Sequence, residues 1–240
     1  MLGERIVQLY QASRQVYGSP RIHAALHAEG QRCGRKRVAR LMRSQGLSAQ
    51  VRRHRTRTTE SQHEHPVAPN VLNRDFTASA PNTKWVADIT AIWTMEGWLY
   101  LAVVLHIFSR MVVGWAMDAQ REAVLVESDL QMALARRHPE PGLLHHSDRG
   151  SQYTCQDYQA LLARCGIVVS MSGKGDCYDN ALMESFNGTL KTECVERESY
   201  QTRAQARRSL FEYLEAFYNR QRLHSSLGYV SPVAYEQHVR

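Results

Sequence analysis

Lysine is scarce in this 240-residue chain: Lys36, Lys84, Lys174 and Lys191 are the only four among 30 basic residues, and the rest are arginine. Cysteine is sparse too. The five cysteines, at 33, 155, 165, 177 and 194, form no Cys-x-x-Cys pair and leave one over in any full pairing. This excludes a small disulfide-stapled scaffold and favours a reducing compartment. No apolar run reaches the roughly 18 residues a membrane helix needs, and no apolar stretch near the start resembles a signal peptide. A soluble, cytoplasmic protein is the expectation. At 43% hydrophobic and 22% charged, the chain can build the core of one large or two small domains and is no disordered tail.

The net charge of +7 is unevenly spread. Residues 1–60 carry 13 basic and 3 acidic side chains, whereas residues 61–240 carry 17 basic and 20 acidic. Arginine's planar fork suits phosphates and base edges, so an arginine-rich front favours a nucleic-acid partner over a merely solvated surface. Ser19-Pro20 reads as a helix start, Ile22, Ala25 and Leu26 share one face, and Gly30 can end the helix. Val38, Leu41 and Met42 repeat at helical spacing until Gly46, with Arg35, Lys36, Arg37, Arg40 and Arg43 on the other faces. Two short helices with a basic second one suggest a helix-turn-helix segment over 1–48 that lays its second helix along DNA. Residues 49–81 lose periodicity. Arg52, Arg53, Arg55 and Arg57 precede a His/Pro stretch, which reads as a basic linker along a phosphate backbone. His63 and His65 lack a third ligand nearby and make a poor metal site.

From Lys84 the texture changes. Strands are expected at 84–93, 98–105 and 110–117, with a turn at Glu96-Gly97, as an antiparallel meander. A helix over 122–137, a strand at 143–146, a helix over 156–165, a strand at 167–169 and a long helix from near Asp179 follow. That order specifies an α/β, RNase H-like mixed five-stranded sheet flanked by helices, over 82–195. Trp85, Trp93, Trp98 and Trp115 all fall in strands and are expected mostly in the core. Three acids stand at the decisive points: Asp88 inside an apolar strand, Asp148 where the chain leaves a strand end, and Glu184 in the last helix with 35 residues between it and Asp148. A carboxylate in an apolar strand is costly unless paired, hydrogen-bonded or bound to metal. Three converging carboxylates need divalent cations, and all-oxygen ligands beside a phosphate substrate point to Mg²⁺ or Mn²⁺, as two ions for in-line attack on a phosphodiester. Any one of these acids taken alone has a surface or capping role as its competing account.

Asn180, Glu184, Asn187, Gly188 and Lys191 form one polar stripe of that helix, and Met183, Phe186 and Leu190 an apolar one. Glu184 would then sit at the metals with Asn187 and Lys191 facing a DNA strand; a solvated lysine is the alternative. The stretch 170–180 reads as a loop bordering the site, with Lys174 either touching DNA or in water. Asp176 and Asp179 rank below Glu184, Asp179 as a helix cap. Over 196–240, Leu210, Phe211, Leu214, Phe217 and Tyr218 fit a helix buried on the core or against a second subunit. A basic tail follows, in which Arg220 and Arg222 contact DNA or lie on the surface.

At these motifs the chain closely resembles the OrfB transposases of the insertion-sequence three family. The resemblance rests on WVADIT (85–90), EGWLYLAVVL (96–105), FSR (108–110), HSDRGSQY (146–153), SMSGKGDCYDNALMESFNGTLKTE (170–193) and FYNRQRLHSSLGYVSP (217–232), with YGSPRIHAAL (17–26) and RKRVARLM (35–42) matching the segment before the core. It implies a retroviral-integrase-type DDE enzyme that cuts DNA at element ends and joins it to a target by direct transesterification. Asp88, Asp148 and Glu184 match the family's triad, and Lys191 its following basic residue. It also implies a homo-oligomer on double-stranded DNA, an OrfA-type partner or fusion for end recognition, and a bacterial cytoplasmic, nucleoid-associated location. Two positions depart from the family pattern: His106, commonly aspartate, and Ala91, commonly aromatic. The chain begins almost at YGSPR, where relatives usually carry further residues. A truncated, catalytically silent DNA-binding remnant and a nonspecific nuclease of the same fold are the competing readings.

Overall fold

The computed structural model describes residues 1–50, 66–173 and 176–239. The arginines at 52, 53, 55 and 57, the histidines at 63 and 65 and Lys174 lie outside the described residues. Two compact units divide the chain: Met1–Arg53 with Glu215–Arg240, and His54–Leu214.

In the first unit, α1 (Leu2–Ala12), α2 (Ser19–Ala28) and α3 (Arg35–Ser44) pack through Ile6, Ile22, Leu26, Val38 and Met42. The two helices expected from the sequence are there, ending where Gly30 and Gly46 turn left-handed at φ +79° and +68°. Helix α1 is an addition: Leu2, Ile6, Leu9 and Tyr10 recur at helical spacing, and of these Ile6 alone is fully buried. The last part of the chain belongs to this unit as well. Tyr17 Oη accepts from Leu223 N at 2.7 Å and donates to Gln221 O at 3.2 Å, and the Tyr17 and Phe217 rings lie 6.3 Å apart.

The second unit is a five-stranded sheet in the order β3-β2-β1-β4-β5, from β1 (Lys84–Thr94), β2 (Gly97–His106), β3 (Val112–Asp118), β4 (Leu144–Ser147) and β5 (Val168–Met171). β1 pairs antiparallel with β2, and β2 with β3; β4 runs parallel to β1 and to β5. The expected meander and crossovers are all present, and the sheet is mixed with helices on both faces. Alternate residues of β1 explain the layering. Trp85 and Ala87 join Ala102, Val104, Leu125, Leu130, Tyr153, Tyr158 and Leu162 in one core, under α4 (Ala123–Arg137), α5 (Ser151–Thr154) and α6 (Gln156–Arg164). Val86 and Asp88 point the other way, toward α7 (Ala181–Glu193), whose Met183, Phe186 and Leu190 are buried. Each such fully buried side chain contributes roughly 1.5–3 kcal/mol. Helix α4 approaches β3 so closely that a Cβ on Gly114 would sit 2.0 Å from Asp129 O. α8 (Arg203–Phe211) runs on through a π-helical stretch, Glu212–Tyr218, and α9 (Pro232–Val239) ends the described chain.

Trp93 and Trp98 correct the expectation that the tryptophans are core. They are 56% and 47% exposed, paired across the β1–β2 hairpin end with rings edge-to-face at 5.0 Å. Their alternation matches that of buried strand residues, so the sequence does not distinguish them. Trp85 is fully buried. His106 is buried: Nε2 accepts from Asn82 N at 2.7 Å while Nδ1 lies 2.9 Å from Ser109 Oγ. Among the described residues no helix is long and apolar enough to cross a membrane.

Candidate active site

The site grows from the middle of the sheet, where parallel β4 meets antiparallel β1. Asp88 faces α7 because period-2 alternation sends Ala87 and Ile89 to the opposite core. Its Oδ1 accepts from Ile89 N and its Oδ2 from Asn187 Nδ2, both at 2.8 Å. Burial pushes the Asp88 carboxyl up to about 8, and the Asp148 charge adds to the rise. The Ile89 N–H, Arg121 and Lys191 act against it. Two carboxylates close enough to repel share a proton or a cation rather than both standing bare.

Asp148 follows directly from the end of β4, where Ser147 is the last strand residue. The chain turns there into α5, and Gly150 N donates to Asp148 Oδ1 at 2.9 Å, fixing the carboxylate at the rim. β4 itself is held by histidines kept neutral. Burial lowers His145 to about 3 and His146 to about 4, and His146 lies 2.8 and 3.1 Å from Ser170 and Ser172 Oγ.

Helix α7 supplies the third acid. Glu184 is exposed in its first turn, one turn before Asn187 and on the same face. Among the described residues the three acids do not bring their oxygens within 4.8 Å of one another; the group that does so is His23, His27 and Cys33, which can hold a metal ion. Asn187, expected at a DNA strand, spends its amide on Asp88, and Lys191, half-buried, sets its charge against Asp88. Asn180 also braces the site, donating to Ala87 O at 3.3 Å across to β1.

Asp179 does not cap α7. It lies in the short 3-10 turn Cys177–Asn180, accepting from Gly173 N at 2.7 Å and Arg74 Nε at 2.8 Å. Burial alone would raise its pKa; Arg74 and Gly173 N–H outweigh that and hold it low. Asp176 caps that 3-10 turn, accepting from Tyr178 N, and α7 itself starts after Asn180 with no side-chain cap. Arg121, which the sequence did not single out, projects its charge toward Asp88 from the loop between β3 and α4, and a lone arginine between two elements carries no periodic signal.

Of the basic residues expected at DNA, Arg35, Lys36, Arg37, Arg40 and Arg43 are all exposed on α3, whose buried side is Val38 and Met42. Arg220 is exposed as well. Arg222 is the correction: it is 4% exposed, stacked 5.8 Å over the Tyr218 ring and 3.3 Å from His224, so it serves the packing of its own unit.

Comparison with known proteins places these elements. Residues 78–177 and 165–232 match integrase core domain families, and residues 2–55 an HTH-like domain family. The transposase of insertion sequence element IS904 from Lactococcus lactis is 42% identical over 238 residues, covering 99% of this chain and 94% of that protein. Transposase InsF of IS3A from Escherichia coli is 45% identical over 231 residues, covering 96% and 80%. An uncharacterized 31 kDa protein of insertion element IS600 from Shigella sonnei is 45% identical, covering 94% and 83%. Two structures share the fold: a simian T-cell lymphotropic virus intasome (TM-score 0.55, 18% identity, 96% of this chain and 74% of that one) and the HTLV-2 integrase catalytic core domain in complex with magnesium (TM-score 0.52, 16% identity, 67% and 99%). With an integrase-type, RNase H-like core and relatives of this identity along nearly its whole length, the chain belongs to the OrfB transposases of the IS3 family of insertion sequences, polynucleotidyl transferases of DNA cleavage and strand transfer.

Proposed function

We propose that Asp88, Asp148 and Glu184 are the catalytic carboxylates, holding two divalent cations, Mg²⁺ or Mn²⁺, over which element-end DNA is cut and joined to target DNA. The observation that carries this is the pairing of Asp88 on β1 with Asp148 just past the end of the parallel β4, the ionisation of Asp88 being opposed by burial and by the Asp148 charge. An all-oxygen donor set of this charge suits hard cations and not thiophilic ones. When bound, two such ions activate the attacking oxygen and stabilise the leaving one.

The protein's own groups do the positioning. Asn187 and Ile89 N–H fix both oxygens of Asp88, Gly150 N–H orients Asp148, and α7 carries Glu184 on the face that reaches β1. Lys191 and Arg121 add positive charge where a phosphate would lie. The helix-turn-helix segment within 1–48 docks double-stranded DNA through Arg35, Lys36, Arg37, Arg40 and Arg43, joined by Arg220, while residues 82–195 perform the chemistry. Coordinated cutting of two element ends calls for a homo-oligomer, with an OrfA-type partner or fusion for end recognition.

The test incubates the full chain, with and without an OrfA-type partner, with labelled element-end DNA, a target plasmid and Mg²⁺, alongside Asp148→Asn. Joined products that disappear in the variant are expected. Cleavage without joining would reduce the activity to that of a nuclease, and DNA retention without metal-dependent chemistry would overturn the catalytic reading.

A further inference from the structure

We propose that His23, His27 and Cys33 form a second, chemically different metal site, for Zn²⁺, in the DNA-docking unit. His23 and His27 stand four residues apart on α2, one turn above the other on the same face. Their rings lie 4.4 Å apart, and both Nε2 atoms aim at one point, the Cys33 carbonyl oxygen, at 3.0 and 3.2 Å. The left-handed turn at Gly30 folds the loop back so that Cys33 meets the pair, and each residue offers a ligand atom within 4.8 Å of the others.

Two imidazoles and a thiolate are borderline-soft donors. They select Zn²⁺ over the hard cations suited to the acidic centre. Tetrahedral zinc, with bonds of about 2.0–2.3 Å, separates its ligands by roughly 3.3–3.6 Å, so closing the site takes side-chain movements of about 1 Å. The fourth position faces solvent, since His27 is exposed, and a water fills it. Cys33 lies two residues before Arg35, the first residue of α3. The ion would thus clamp the last turn of α2 to the start of the helix that carries the exposed cations, ordering the docking surface without touching the chemistry. The site stands on its own geometry, whichever reaction the carboxylates perform.

Cobalt is the probe. The full chain, stripped with chelator, is titrated with Co²⁺ and followed by its near-ultraviolet thiolate-to-cobalt charge-transfer band, then back-titrated with Zn²⁺. One equivalent per chain is expected, with Zn²⁺ displacing the cobalt and raising the Tm. Cys33→Ser and His27→Gln should each weaken binding by more than the roughly 10–100-fold typical of losing an outer-shell partner; Asp148→Asn should leave it unchanged. Circular dichroism establishes that the variants remain folded, as expected for the exposed His27 and the only half-buried His23 and Cys33. Absence of the band overturns the proposal. So does a band that survives Cys33→Ser, which would come from another thiol, or one indifferent to His23→Gln and His27→Gln, which would be a lone cysteine's.

Discussion

His145 makes acid a quantitative probe of the strand that delivers Asp148. The side chain is 1% exposed, its Nε2 lies 3.1 Å from Tyr158 Oη, and the two rings pack edge-on at 5.9 Å. Burial and the adjacent His146 hold its pKa down at about 3, against 6.5 for a free histidine. An unfolded chain therefore takes up a proton at this position below pH 6.5, while the folded chain refuses it until near pH 3. The unfolded state binds more protons in that window, so stability is full above pH 6.5 and falls as pH falls. At about pH 4.5, two units below the free value, the loss from this residue is roughly 3 kcal/mol. That is a large share of a typical domain stability of about 5–15 kcal/mol. The comparison is urea unfolding of the parent and His145→Gln at about pH 7.5 and pH 4.5, in which glutamine keeps a polar partner for Tyr158 without a titrating proton. All four tryptophans lie in the sheet strands, so their fluorescence reports this unit alone. Acidification should cost the variant roughly 3 kcal/mol less than the parent, because Asp88, Asp129 and His146 contribute to both and cancel. Equal losses in the two proteins would refute the account of a histidine kept neutral by burial.

Other expectations bear on the site and its supports. Asp88→Asn should lower Mg²⁺-dependent cleavage of element-end DNA by about three orders of magnitude or more, as loss of a proposed metal-holding carboxylate implies, with DNA retention intact. The same variant in chelator should outlast the parent in urea at about pH 9. The folded Asp88 pKa lies above the free value of 3.8, so the parent gives up that stabilisation as pH rises through about 8. Arg37→Ala and Arg40→Ala should weaken DNA binding evenly across sequences, each lowering the slope of log affinity against log salt by about 1 in a filter-binding titration; a loss confined to one sequence would argue against phosphate contacts. Gly114→Ala should destabilise the core by about 3 kcal/mol in urea unfolding, because its methyl would collide with the α4 backbone rather than with a movable side chain; an unchanged midpoint would count against that close approach.

The sheet was legible because its strands are bounded by turn residues and its first strand is apolar around one acid, a conflict that marks Asp88 without any coordinates. The helix pattern of 35–44 was legible for the same reason, with Val38 and Met42 apolar in a basic run. What local patterning does not carry is pairing between distant segments. Residues 215–240 share a compact unit with residues 1–53, through contacts such as Tyr17 with Gln221 and Leu223, and no periodicity within either segment announces the other. Arg222 looked like a surface cation because burial of an arginine depends on the ring it finds to stack on. Asp179 looked like a cap because the alternative, a bond from Arg74 far upstream, is a tertiary fact. His23 and His27 stand at visible helical spacing, yet Cys33 joins them only through a turn.

Helix α7 ties the chemistry to the state of the fold. Asp88 comes from the first strand of the sheet and Glu184 from the helix docked over it, with the Asn187–Asp88 bond as the latch between them. A chain still emerging from the ribosome, or one whose last core helix has peeled away, holds no more than part of the proposed ligand set. Under the proposed assignment, late seating of this helix acts as a safety catch: the fraction of molecules able to break a strand is the fraction in which α7 is docked.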